Sequence, residues 1–90
     1  SNRYTVIEVN ASDRPALLYA LTNGLFQQKL TIHSAHIATY GEKATDTFYV
    51  TDLTGAKIDN PVRLKAIEKR LLAIAATASP KVEMLAEAAE

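Results

Sequence analysis

Cysteine and tryptophan are both missing from the 90 residues, and glycine and proline occur only three times each. Without cysteine there is no disulfide framework, zinc–thiolate site, iron–sulfur cluster or thiol nucleophile. Three glycines leave no Gly-rich loop to cradle a phosphate. An excess of one charge is also lacking, since ten Lys and Arg are matched by ten Asp and Glu. That balance argues against a nucleic-acid partner, whose affinity would come from surplus cations facing phosphates. No run approaches the roughly 20 apolar residues that span a bilayer, and no segment reads as a signal peptide. The expected location is therefore the cytoplasm, with no membrane partner. What remains is ordinary globular material, 48% hydrophobic and 22% charged, enough for one domain. A domain this small buries only about 60–65% of its unfolded surface, so a partner is expected.

Tyr4 to Asn10 read as a strand, β-branched and aromatic, with Ile7 and Val9 on one parity. Ser12-Asp13-Arg14-Pro15 follows, with good N-capping residues and a proline suited to a helix's first turn. Leu18, Leu21 and Leu25 then repeat at helical spacing, flanked by Leu17 and Phe26, and Gly24 among them marks close packing. The helix is expected to end near Gln28 or Lys29. Thr31 to Thr39 form a second strand with an irregularity. Leu30 and Ile32 share one parity, Ala35 and Ile37 the other, so a bulge near His33-Ser34 is needed to turn all four the same way.

Tyr40-Gly41-Glu42-Lys43 is a hairpin turn. Ala44 to Thr51 are the third strand, with Phe48 and Val50 on one face and Thr45, Thr47, Tyr49 and Thr51 on the other. Asp52-Leu53-Thr54-Gly55 has turn chemistry. A second helix starts after Asp59 or Asn60 with Pro61 in its first turn. Leu64, Ile67, Leu71, Ile74 and Ala78 form its apolar stripe, and Ser79-Pro80 ends it. Lys81 to Leu85 are a short last strand. The order β-α-β-β-α-β predicts an α+β, ferredoxin-like sandwich, an antiparallel sheet with both helices on one face. The domain spans 3–85, and 86–90 form a frayed tail. The expected core is Ile7, Val9, Leu18, Leu21, Leu25, Ile37, Phe48, Val50, Leu64, Ile67, Leu71 and Ile74.

The residues offer little catalytic chemistry. His33 and His36 share a face only if the strand bulges, and no Cys or acidic residue in that strand completes a metal site. Ser12 lacks an oriented base. The third strand lacks the basic and glycine residues of an RNA-stacking sheet, and it carries Asp46. Arg63, Lys65, Lys69 and Arg70 read as a solvated helix face. The turn Asn10 to Leu18 is the informative segment. The first N–H groups of the helix, around Ala16 to Leu18, lack intrahelical partners and suit a carboxylate or amide oxygen. Asn10 and Ser12 add side-chain donors and acceptors; the competing role for Ser12 and Asp13 is simply to cap the helix.

Three segments carry a family resemblance: Asp13-Arg14-Pro15-Ala16-Leu17-Leu18, the run Ile32 to Glu42 (Ile-His-Ser-Ala-His-Ile-Ala-Thr-Tyr-Gly-Glu), and Asp46 to Asp52 (Asp-Thr-Phe-Tyr-Val-Thr-Asp). Together they resemble an ACT domain, of the kind found at the C-terminus of bifunctional uridylyltransferase/uridylyl-removing enzymes that modify the nitrogen-signalling protein PII. The resemblance covers about Tyr4 to Leu72. It implies a regulatory module that senses glutamine or another small amino acid, pairs side by side with a second ACT domain, and acts on PII only through its parent enzyme. The catalytic modules would lie upstream, so no catalytic residue, metal or cofactor is expected in this stretch. The implied ligand site comprises Asn10, Ser12, Asp13, Arg14, Ala16, Leu17 and Leu18, with His33, Ser34, Ala35 and His36 from an adjoining domain. Ala16 stands where the family commonly has glycine, and its methyl group narrows the loop that approaches the ligand. A pairing module that binds no ligand is the alternative.

Overall fold

The structure is a computed structural model, and it describes residues 3–12, 16–75 and 81–85. The tail 86–90, the Ser79-Pro80 stop and Asp13, Arg14 and Pro15 lie outside the described residues. The elements run β1 (Thr5–Ser12), α1 (Leu17–Gln27), β2 (Leu30–Tyr40), β3 (Lys43–Asp52), α2 (Pro61–Ile74) and β4 (Lys81–Leu85). The sheet order is β2-β3-β1-β4 with every neighbouring pair antiparallel. Both helices cover one face, where Ile7, Val9, Phe48 and Val50 meet Leu17, Leu21, Leu25, Ile67 and Leu71 in a single buried cluster. This is the ferredoxin-like sandwich that the element order implies.

Local chemistry explains most of the boundaries. Tyr40 pairs with Lys43 across a two-residue loop, in which Gly41 takes φ 62°, a left-handed conformation that glycine adopts at no steric cost. The turn after β3 is built on Asp52, whose Oδ1 accepts from Thr54 N, Thr54 Oγ1 and Ala56 N at 2.8, 2.6 and 2.9 Å. Asn60 caps α2 by accepting from Val62 N and Arg63 N, with Pro61 at the first helical position. Thr5 Oγ1 both donates to Ile58 O (2.9 Å) and accepts from Ile58 N (2.8 Å). That hitch ties the crossover to β1 and buries Ile58 at 5% exposure.

The irregularity in β2 is resolved as a bulge. Ile32 lies opposite Val50 and Ser34 opposite Tyr49, leaving His33 as the extra residue. Leu30, Ile32, Ala35 and Ile37 thereby share the helix-side face. Two expected core residues are nevertheless outside the core. Ile37 is 47% exposed, because it lies on the outermost strand and only the first half of that strand packs on the core, through Leu30 and Ile32. Leu18 is 42% exposed, and Leu17 (3%) takes the inward position. The buried face of α1 is Leu17, Leu21, Gly24 and Leu25. Leu21 and Leu25 keep their inward places, and the buried face is turned by only about 50° toward Leu17 and Gly24, half of the roughly 100° per residue of an α-helix. That rotation lays Gly24 on α2, where an added Cβ would overlap Ile74 Cδ1. Leu64 and Ile74 pack at the core's rim, while Leu30 and Ala75 are fully inside. Among the described residues no helix is long and apolar enough to cross a membrane.

Candidate functional site

Helix α1 opens on left-handed backbone. Ser12 is the last residue of β1, and the N-cap position belongs to Ala16, with φ 65° and ψ 7° and no side-chain cap hydrogen bond. β1 runs two residues beyond Asn10 and carries the Ser12 backbone into the pairing opposite Lys43, while the capping role expected of the Ser12 and Asp13 side chains lies outside the described residues. Left-handed backbone is costly for a residue with a Cβ. The first intrahelical bond is Ala20 N to Ala16 O at 2.9 Å, so the amides of Leu17, Leu18 and Tyr19 precede it and have no intrahelical acceptor. Helix α2 answers the same need with Asn60. Among the described residues nothing accepts from these N–H groups, which stand at the positive end of the helix dipole. Leu17 is buried beneath it, and Leu18 stands half-exposed beside it.

The other expected site residues gather on the open face of the sheet. Asn10 lies opposite Thr45, accepts from Thr45 Oγ1 at 2.6 Å and donates to Glu8 Oε1 at 3.2 Å. The bulge turns both histidines to this face. His33 Nε2 lies 2.8 Å from Thr51 Oγ1. The Thr51 hydroxyl also lies 2.9 Å from Asp52 O, and the direction of its bond with His33 follows the ring's tautomer. Tyr4 packs on His33 with ring centroids 5.0 Å apart, His36 meets Tyr49 edge-on at 5.4 Å, and Tyr4 meets Tyr49 at 6.2 Å. Val6 and Thr51, also on this face, are each 1% exposed. Among the described residues no three His, Cys, Asp or Glu side chains come together as metal ligands would.

Within one copy the site residues thus form two groups. Ala16, Leu17 and Leu18 are at the mouth of α1 on the helix side. Asn10, His33, Ser34 and His36 are on the opposite face, with the sheet between them. Of the His33–His36 stretch only Ala35, opposite Phe48, shares the helix side, and it is exposed. Asp13 and Arg14 lie outside the described residues. Sequence reasoning gave no site role to Asp46, a carboxylate-bearing residue only 3% exposed, set on the helix side between Val9 and Ile37. A lone acidic residue amid Phe48 and Val50 on an alternating strand was the available signal. Along α1 the exposed rings of Tyr19 and Phe26, with Thr22, Asn23 and Ile32, line a groove of about 270 Å³ beside the β2 edge.

Residues 1–78 match the family model described as the ACR family N-terminal ACT domain. The chain belongs to the ACT-domain family. Relatives of this ACT domain include the bifunctional uridylyltransferase/uridylyl-removing enzyme of Novosphingobium aromaticivorans, 67% identical over 72 residues and matching 80% of this chain. The enzyme of the same name from Zymomonas mobilis is 69% identical over 75 residues, 83% of this chain. The chain spans about 8% of the length of either relative. Among solved structures, the ACT domain from GTP pyrophosphokinase of Chlorobium tepidum superposes with a TM-score of 0.68 at 13% identity, covering 94% of this chain and all of that one. An ACT domain protein from Streptococcus pneumoniae gives 0.67 at 14% identity, covering 94% and 90%. At such identities these two likenesses establish the ACT fold.

Proposed function

We propose that this ACT domain is the amino-acid-sensing part of a bifunctional uridylyltransferase/uridylyl-removing enzyme, with glutamine as its ligand. The observation that carries the proposal is the 67–69% identity to enzymes of that name, confined to about 8% of their length. Such an enzyme, cytoplasmic and acting on PII, would keep its chemistry in other modules and its sensor here. The mouth of α1 supports the sensing role. Amides with no intrahelical acceptor at the positive end of a dipole suit the carboxylate or side-chain amide oxygen of glutamine, and Asp13 or Asn10 can accept from its ammonium group.

Pairing along β2 supplies the rest of the site in this proposal. The strand is eleven residues long, lies at the end of the sheet order and carries neither Lys nor Pro. Such an unguarded edge invites a second strand. The neighbouring rings of Tyr19 and Phe26, 72% and 75% exposed, would be covered by the same approach. A partner strand would set its own His33, Ser34, Ala35 and His36 beside this copy's β2, with Ala35 on the helix side and the other three on the open face. Affinity in the isolated domain falls with the fraction paired.

The Ala16 methyl at that mouth favours a second reading, a pairing module that passes on a neighbour's state and binds nothing itself. A heteronuclear NMR titration with glutamine, glutamate and asparagine separates the two. Selective shifts between residues 10 and 18 at millimolar glutamine support sensing. Their absence in both the native chain and Ala16→Gly leaves the pairing module. Sedimentation showing a strict monomer at high concentration would refute the pairing itself.

A further inference from the structure

Helix α2 carries four cations, and the fold uses two of them. Arg63 Nη2 donates to Gln28 O and Lys29 O, both at 3.3 Å, closing the C-terminal end of α1. Arg70 Nη2 donates to Gln27 Oε1 at 3.1 Å. Lys65 and Lys69 are placed differently. With Pro61, Val62 and Ala66 they line a groove of about 370 Å³ along the outer side of the helix. Val62 is 79% exposed, more than any other large apolar residue described. The groove runs from Pro61 to Lys69, about 12 Å or two helical turns at 1.5 Å per residue.

This flank is locally unfavourable as it stands. Two ammonium groups four residues apart repel each other on a helix, and a β-branched apolar side chain faces water with nothing to cover it. Both costs become gains against one kind of surface, apolar along its centre and acidic at its edge. The geometry points to a docking site for an acidic amphipathic helix of a partner protein. Its apolar side would lie on Val62 and Ala66 and its carboxylates beside Lys65 and Lys69. A second copy of this chain does not fit, because an isologous contact sets each lysine pair against its own image. An anionic membrane fits less well. Lipid-binding segments gather about four to eight cations, and this groove presents two. The inference is independent of the ligand assigned to the mouth of α1.

The test is an NMR titration of the labelled 90-residue chain with a synthetic helical peptide of Glu, Leu and Ala, against the same peptide with Lys for Glu. The acidic peptide is expected to shift Val62, Lys65, Ala66 and Lys69, with affinity falling as salt rises. Val62→Ser should weaken it about tenfold. The double variant Lys65→Glu, Lys69→Glu should lose the acidic peptide and gain the basic one. Lys65→Gln, Lys69→Gln serves if charge reversal disturbs the helix. No shift at millimolar acidic peptide overturns the proposal. So do equal shifts from both peptides, or binding of phosphatidylglycerol vesicles but not of the peptide.

Discussion

Replacing Ala16 with glycine should stabilise the domain. Ala16 has φ 65° and ψ 7°, and the left-handed region costs an L-residue about 1–2 kcal/mol. Glycine escapes that cost but enlarges the entropy of the unfolded chain, a loss of about 0.5–1 kcal/mol. The Ala16 side chain is exposed, so removing its methyl sacrifices almost no burial. The net gain is about 0.5–1 kcal/mol. For a domain of this size each kcal/mol moves Tm by about 4–8 °C, so Ala16→Gly should melt about 2–8 °C higher. In urea the midpoint should rise with an unchanged slope, as expected when stability changes without a change in the surface exposed.

Lys29 provides the control. It also lies at positive φ, 62°, at the other end of α1, far along the helix from the mouth. Lys29→Gly should raise Tm comparably and leave glutamine binding untouched, whereas Ala16→Gly should raise Tm and tighten glutamine binding together. A fall in Tm for Ala16→Gly alongside a rise for Lys29→Gly would show that the Ala16 methyl makes a contact worth more than its strain, and the argument would fail.

Removing the hitch between Thr5 and Ile58 should be costly. Thr5→Val leaves a buried N–H and a buried carbonyl without their partner, for a loss of about 2–4 kcal/mol, while Thr5→Ser keeps both bonds; chemical denaturation distinguishes the two. Gly24→Ala gains about 1 kcal/mol of helix propensity, and its Cβ meets only Ile74 Cδ1, the far end of a half-buried side chain that can turn aside. The single variant should therefore be neutral or stabilising, and more clearly stabilising in an Ile74→Val background, where that methyl is gone, as a double-mutant cycle would show. The Asp52 carboxyl is held below its ordinary value of 3.8 by the Thr54 hydroxyl, with the Ala56 and Thr54 amides adding to the effect. Because the folded value is depressed, its stabilisation is complete above the ordinary value and is lost as pH falls through the folded one; the gap in Tm between the native chain and Asp52→Ala should close below about pH 4, and direct NMR titration should place the carboxyl's midpoint under 3.8.

Patterns with a period were legible in the sequence. Phe48 and Val50 against Thr45, Thr47 and Tyr49 announced both faces of β3, and the parity break between Ile32 and Ala35 announced the bulge. Asn60-Pro61 marked the start of α2 because capping and proline chemistry act within three residues. What failed depended on distant neighbours. Leu17 and Leu18 both fit an apolar helical stripe, and the choice between them is made by Gly24 seating against Ile74 on the other helix. Ile37 has core chemistry and the right parity, but cover on an edge strand depends on where a helix ends. Alanine itself does not announce the left-handed backbone at Ala16; only the family's usual glycine at that position hinted at it. The contacts of His33 with Tyr4 and of His36 with Tyr49 likewise depend on pairing across strands that no local pattern reveals.

That bulge also sets what the chain can lose. Excise His33, and Ile32 would be followed directly by Ser34; every later residue of β2 would keep its present face, because the strand would return to plain alternation. The Thr51 bond and the stacking on Tyr4 would go, but the sheet would keep its frame. Excise Tyr49 from β3 instead, and Phe48 and Val50 could not both stay inside, for the parity beyond the cut reverses. In the arithmetic of insertions and deletions, His33 is a spare letter in a two-letter code, and the open face is where that spare letter is spent.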